Sequence, residues 1–310
     1  MNKKVIAYII SDIHLHNWKS HNENLRRLKT SLDIMLEVDK IASKNNAKVL
    51  FAGDLIENPN HIDQFELSLI KSTFKNLEAH WIGISGNHDM SERYIDGLPT
   101  WVNCFKEIIQ CIDFKRVYIG YDIKVHGIPF LRNNIGFEEA VKNIKVNEKQ
   151  KNILLIHTEI PGAVDNNGFR ADEVDNIPKM YSKLFKKFDL VIAGHIHKKQ
   201  KIGSKILVPG APTPQRSSDS NGEFGYWELY DDLSLKFIPV KGPQFKFYQE
   251  GDEIDDYNYW VKIPKKVKKK ERCKIKNITY FTANNLARAY LKFNGEYTKA
   301  KYKLLTKNLK

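Results

Sequence analysis

VIAYIISDIH, residues 5–14, is an apolar run that ends on Asp12 and His14. The same event recurs in KVLFAGD (48–54), HWIGISGNHD (80–89), NILLIH (152–157) and DLVIAGHIH (189–197). Each run is short and rich in Val, Ile, Leu and Phe, which suits a strand buried on both faces. The side chains that stop the runs are Asp12, His14, Asp54, Asn87, His88, Asp89, His157, His195 and His197. In open α/β sheets the carboxyl ends of strands converge on one rim, so five such ends can build one site.

Working outward, LRRLKTSLDIMLEVDKIASK (25–44) repeats Leu25, Leu28, Leu32, Met35 and Ala42 at helical spacing and predicts a crossover helix closed by Asn45-Asn46. HIDQFELSLIKSTFKNL (61–77) predicts a second, with Phe65, Leu69, Phe74 and Leu77 on one side. Strand, helix, strand, helix, strand implies a parallel sheet and an α/β fold class. From Gly97 to Asn147 the pattern mixes helical WVNCFKEIIQ (101–110) with strand-like RVYIGYDIKVHGIPF (116–130). PGAVDNNGFRADEVDNIP (161–178) reads as a polar surface loop near the site. KILVPGAP, FGYWELYDD and LSLKFIPVK, between 205 and 241, are expected to complete a second sheet.

The chain has 310 residues, enough for one large domain and a small one. No segment approaches the roughly 20 apolar residues of a membrane helix, so no membrane association is expected. The run after Lys3-Lys4 is too short for a secretory leader and is cut by Asp12. Cys104, Cys111 and Cys273 match no zinc or disulfide framework and read as reduced, buried filler, which with the other signals predicts a cytoplasmic protein.

The net charge of +13 is unevenly spread. Residues 1–240 carry 32 Lys and Arg against 30 Asp and Glu, whereas residues 241–310 carry 18 against 7. Composition changes near Gly242-Pro243, so the expected domains are 1–240 and a small basic segment, 241–310. Lys265, Lys266, Lys268, Lys269, Lys270 and Arg272, with Tyr257, Tyr259, Trp260, Tyr280 and Phe281 nearby, form a candidate nucleic-acid patch. A solvated charged face is the bland alternative.

The strand ends together supply oxygens from Asp12, Asp54 and Asn87 and imidazoles from His14, His157, His195 and His197. Such a mixed set suits manganese, iron or zinc better than magnesium or calcium. It exceeds what one tetrahedral ion needs but serves two if a carboxylate bridges. Two-metal sites activate water for in-line phosphoryl displacement.

The ordered series Asp12-x-His14, Gly53-Asp54, Gly86-Asn87-His88-Asp89, His157 and Gly194-His195-x-His197 resembles the calcineurin-like metallophosphoesterase superfamily over about 200 residues. The resemblance implies a two-sheet α/β/β/α sandwich with a small C-terminal capping domain. It also implies a first metal on Asp12, His14, Asp54 and His197, and a second on Asp54, Asn87, His157 and His195. His88 would stabilise or protonate the leaving oxygen, a metal-bound hydroxide would attack, and Asp89 would orient His88. A turn-stabilising role for Asp89 is the alternative. His16, His21, His61, His80 and His126 are read as structural or exposed.

GDLIEN and GNHD lack the Arg and Glu that the superfamily's protein phosphatases carry after these motifs. SDIHL, GDLIEN, ISGNHD, HGIPF and PGAPTPQRSSDSNGEFGYWEL instead resemble the nuclease subunit of SbcCD-type DNA repair exonucleases, including short phage versions. Glu57 departs from that pattern, standing where many members have His. The implied protein is a manganese-dependent DNA nuclease of break repair or phage recombination, paired as a homodimer and partnered by a coiled-coil ABC-type ATPase. Two rivals stay open: a small-molecule phosphodiesterase or phosphomonoesterase, and a non-catalytic adaptor stabilised by metal.

Overall fold

In the computed structural model of the chain, residues 3–16, 25–58, 60–90, 101–132, 134–168, 181, 183–220, 222–249 and 251–263 are described. Two compact units divide it, Met1–Val261 and Lys262–Lys310, and almost all of the second lies outside the described residues.

The first unit alternates strands and helices at its start: β1 (Val5–Ile10), α1 (Arg26–Lys44), β2 (Lys48–Phe51), α2 (Gln64–Phe74), β3 (His80–Gly83), α3 (Trp101–Cys104) and β4 (Ile109–Cys111). Next come β5 (Arg116–Ile119), β6 (Ile123–Ile128), α4 (Asn134–Asn143), β7 (Lys151–His157), β8 (Leu190–Gly194), β9 (Gln200–Ile202) and β10 (Ile206–Val208). The series closes with β11 (Gly225–Tyr230), β12 (Leu235–Pro239), β13 (Phe245–Tyr248) and β14 (Tyr259–Lys262).

These strands build two six-stranded mixed sheets. One has the order β12-β11-β1-β2-β3-β4, the other β5-β6-β7-β8-β10-β9. In the first, β1 to β4 are parallel and β11 joins β1 antiparallel. In the second, β6, β7, β8 and β10 are parallel, with antiparallel β5 and β9 on the edges. The expectation that KILVPGAP, FGYWELYDD and LSLKFIPVK together complete a second sheet is corrected. Only the first of them, as β10, enters the second sheet, whereas the other two, β11 and β12, return to the first sheet, where Trp227 pairs with Ile9. An edge beside β1 accepts an antiparallel hairpin without any crossover helix.

Apolar runs on both faces explain the layering. Along β1, Ala7 and Ile9 point between the sheets toward Ile153, Leu155 and Ile192, while Tyr8 and Ile10 face Leu28, Leu32, Met35 and Val38 of α1. Residues Leu154, Ile156, Val191 and Ala193 face outward from the second sheet onto Phe137 and Val141 of α4. The result is the α/β/β/α sandwich. Each fully buried large aliphatic side chain in these layers contributes roughly 1.5–3 kcal/mol.

α1 spans its expected residues and presents its expected apolar face. Its buried Asp39 accepts from Trp81 Nε1 at 2.8 Å and from the amides of Glu78 and Ala79, tying the helix to the start of β3. α2 keeps most of its expected face: Phe74 is buried and Leu69 and Leu77 pack against the core, whereas Phe65 is 66% exposed and Glu66 and Ile70 are buried instead. Asp63 caps this helix by accepting from Glu66 N. WVNCFKEIIQ divides into the short α3 and the strand β4, because its last residues join the sheet edge. Cys104 is exposed and Cys111 half-buried, so neither is the buried filler expected; Cys273 lies outside the described residues.

β13 and β14 form a separate two-stranded ribbon. The Arg27 guanidinium lies 5.6 Å from the Phe245 ring and 5.5 Å from the Tyr259 ring, and its Nη2 donates to Gln215 O. Tyr259 is thereby buried, while Tyr257 is exposed.

Candidate metal centre

The loops after β1 and β2 run side by side. The amides of Asp12 and His14 donate to the carbonyls of Gly53 and Asp54, each at 3.0 Å, and Leu15 N donates to Leu55 O. To turn the chain back so soon after each strand, Asp12, His14, Asp54 and His195 all take positive φ, from 47° to 101°. Four non-glycine residues in that region form a concentration of backbone strain, such as collects at functional sites. Gly53, at φ 96°, shows what the packing demands: a Cβ there would stand 2.5 Å from His157 Nδ1.

This scaffold brings all seven anticipated ligands together across the two sheets. Asp12, His14 and His197 form one cluster and Asp54, His157 and His195 another, with donor atoms in each within 4.8 Å of one another. Asn87 Oδ1 joins the second cluster, 2.9 Å from His195 Nδ1 and 3.0 Å from His157 Nε2. Asp54 Oδ2 lies between the clusters, 3.2 Å from His157 Nε2 and 3.6 Å from His14 Nε2. Asp12 accepts from His195 N, so each carboxylate also braces the other sheet.

The tautomers implied by the surroundings fit a cation. His157 Nδ1 lies 2.7 Å from Ala52 O, a pure acceptor, so a proton sits on Nδ1 and Nε2 is the nitrogen turned to the cluster. His14 Nδ1 lies 2.5 Å from Glu57 Oε2, and His197 Nδ1 lies 3.7 Å from Asp219 Oδ2. Both therefore turn Nε2 inward, and these two Nε2 atoms meet at 3.1 Å. Lone pairs facing each other at that distance need a proton or a cation between them. Carboxylate or carbonyl support behind the imidazole is the arrangement metal-binding histidines use.

The charges interlock accordingly. Burial pushes the Asp54 carboxyl up, but His157, His14 and His88 outweigh it and hold that carboxyl below the usual range. Burial works against charge on His157 as well, yet Asp54 and Asp12 lift it to about 9. For His195, burial and the neighbouring His157 lower the imidazole to about 4. His197 is raised: burial opposes this, and the Asp219 carboxylate 3.7 Å away, with Asp12, prevails.

Two contributors were missed in the sequence. Glu57, 10% exposed at its side chain, is no solvated loop residue but stands behind His14. Its one sequence signal was the departure from the family's His. Asp219 had none, because only the fold sets Ser217–Asp219, a short 3-10 turn, against His197; it also accepts from Gln215 N, Arg216 N and Asn166 Nδ2.

His88 stands outside these two clusters and, with His14 and Glu57, forms a third group whose donor atoms lie within 4.8 Å of one another. Its amide donates to Asp54 Oδ1 at 2.8 Å, and its Nδ1 donates to Glu57 O at 2.7 Å, leaving Nε2 free. The ring stands edge-on to His14 at a 4.8 Å centroid separation and is part of a cleft of about 210 Å³ with Asp54, His195, His197 and Arg216. The expectation that Asp89 orients His88 is corrected. Asp89 is fully buried, and its carboxylate accepts from the amides of Asp54, Leu55, Ile56 and Gly86 at 2.8–3.1 Å. It staples the β2 and β3 loops together, and the Glu57 carbonyl holds the His88 ring in its stead.

A larger cavity, about 690 Å³, opens between β6 and α4 and shares no residue with the centre. Lys265, Lys266, Lys268, Lys269, Lys270 and Arg272 lie outside the described residues, as do Tyr280, Phe281 and residues 169–178 of the polar loop. Of that loop, Asn166 reaches the cleft. Among the described residues no helix is long and apolar enough to cross a membrane.

The chain is 26% identical over 247 residues to the DNA double-strand break repair protein Mre11 of Saccharolobus solfataricus, covering 74% of this chain and 61% of that protein. It thus spans about three-fifths of the relative's length. Among solved structures, TT1561 of Thermus thermophilus matches 77% of this chain and all of its own at 13% identity and TM-score 0.48. Sulfate thiohydrolase SoxB of the same genus and species matches at 11% identity and TM-score 0.41, covering 75% of this chain and 56% of that one. The profile of the calcineurin-like phosphoesterases spans residues 7–199, from β1 through the last histidine of the centre, and the chain belongs to that family.

Proposed function

We propose that this phosphoesterase is a metal-dependent DNA nuclease, hydrolysing phosphodiesters in double-strand break repair or recombination. Asp12, His14, Asp54 and His197 would hold one divalent ion, and Asp54, Asn87, His157 and His195 the other, with Asp54 shared. When bound, two such ions, manganese by preference for the mixed nitrogen and oxygen set, supply Lewis-acid activation of water and of the phosphoryl oxygens. The protein's own residues supply the rest. His14, His157 and His197 keep their Nε2 atoms forward through the acceptors behind their Nδ1 atoms. His88, held through its Nδ1–H by the Glu57 carbonyl, would as an imidazolium give its Nε2 proton to the leaving oxygen and return to the neutral ring.

The observation that carries the hydrolytic reading is His88. A metal site serving stability alone has no use for a half-exposed imidazole whose free nitrogen opens on the cleft beside the paired clusters. Similarity to a DNA double-strand break repair protein supports DNA as the substrate. The basic excess of residues 241–310 supports it independently, since Lys265, Lys266, Lys268, Lys269, Lys270 and Arg272 would add salt-sensitive affinity for phosphates. In this reading that segment is a capping domain beginning near Lys241, the nuclease acts as a homodimer, and a coiled-coil ABC-type ATPase is its partner.

The test compares linear duplex DNA, single-stranded circles and small chromogenic diesters as substrates with manganese. Cleavage of DNA that weakens steeply with salt is the expected result. Hydrolysis of the small esters alone overturns the nuclease reading, and metal-dependent melting with no hydrolysis overturns the enzymatic one.

A further inference from the structure

We propose that Glu57 is a positioning residue that sets the metal affinity of the His14 half of the centre. This rests on the two-ion reading above. Glu57 follows the short bridge in which Leu15 pairs with Ile56, and its amide donates to Leu15 O at 3.1 Å. The backbone thus pins Glu57 to the same loop that carries Asp12 and His14. From there Oε2 comes within 2.5 Å of His14 Nδ1 as a close charge contact rather than an aligned hydrogen bond, and the Glu57 carbonyl accepts from His88 Nδ1.

One residue therefore steers two imidazoles by different atoms. The backbone carbonyl acts on His88 and survives any substitution of the side chain. The carboxylate acts on His14. A negative charge behind Nδ1–H fixes the tautomer, stops the ring from turning and makes Nε2 a stronger donor to a cation. A histidine at this position, as many of the resembled nuclease subunits carry, is neutral or cationic and brings no negative charge. This chain has tuned one half of the centre electrostatically, leaving the Asn87, His157 and His195 half to the Ala52 carbonyl.

The experiment uses the full chain stripped of metal and titrated with manganese, followed by calorimetry and by manganese electron paramagnetic resonance. Glu57→Ala is expected to weaken one of the two ions about 10- to 100-fold and leave the other at wild-type affinity. Glu57→Gln still offers an acceptor to Nδ1–H without the charge, so its loss is expected to be smaller, with melting in chelator unchanged. Cleavage by Glu57→Ala should recover toward the wild-type maximal rate as manganese saturates, since His88 keeps its carbonyl. Wild-type affinity for both ions in Glu57→Ala overturns the proposal, as does equal weakening of both in Glu57→Gln. Fewer than two ions on the wild-type chain would instead sink the two-ion reading, and this proposal with it.

Discussion

Asp54 Oδ2 stands 3.2 Å from His157 Nε2, joining the loop after β2 in one sheet to the last residue of β7 in the other. The same oxygen is 3.6 Å from His14 Nε2, in the other cluster. A carboxylate so placed serves both halves, whereas Asn87 Oδ1 lies against His157 and His195 of one half. Asp54→Ala is expected to lose both ions and Asn87→Ala only one. Metal analysis of the purified variants distinguishes the two, and equal stoichiometries would remove Asp54 from its shared role.

His88→Ala should reduce cleavage by about 10²- to 10⁴-fold, the usual contribution of a positioned acid. Metal content is expected to stay at the wild-type level, because His88 belongs to neither the Asp12 nor the Asp54 cluster. Its backbone amide, which holds Asp54 Oδ1, is unaffected by the change. Single-turnover cleavage and metal analysis of the same preparation provide the check.

Asp89 is expected to matter for folding more than for chemistry. Asp89→Ala strands four amides that have no route to water, at about 1–3 kcal/mol for each one that finds no substitute partner. A loss of several kcal/mol in denaturant unfolding, with or without metal, is the anticipated outcome. A variant as stable as wild type but catalytically dead would restore the role of orienting His88.

Glu66 makes stability depend on pH away from the centre. Burial and then the nearby Asp63 push its carboxyl up to about 7. Its proton is thus favoured in the folded state, so this contribution is complete below the ordinary Glu range near 4.5 and is lost as pH rises toward 7. Glu66→Gln should remove that slope and stabilise the protein at pH 8 by roughly 1–3 kcal/mol. Unfolding midpoints of both proteins between pH 5 and 8 measure it; parallel profiles would refute it.

Much of this protein is legible in its sequence because the signals are local. An apolar run buried on both faces needs only its own residues to declare a strand, and the polar residue that ends it declares the rim. Asp12, His14, Asp54, Asn87, His157, His195 and His197 could all be collected in this way. α1 was equally plain, since its helical stripe extends over five turns.

Other features were decided only when distant segments met. Which sheet β11 and β12 enter depends on the open edge of β1, a property of the assembled sheet. Phe65, the first residue of the α2 stripe, is left exposed while Glu66 beside it is buried. Asp89 sits one residue from His88, and adjacency suggested a partnership, yet the carboxylate points into the neighbouring loop where four amides converge. Glu57 and Asp219 acquire meaning from the imidazole each stands behind. The candidate ligands and the layered α/β fold could be named from consecutive residues, because strand burial and strand ends are local. Which atom of each histidine faces inward waited on packing, because a tautomer is set by whatever lies against the other side of the ring.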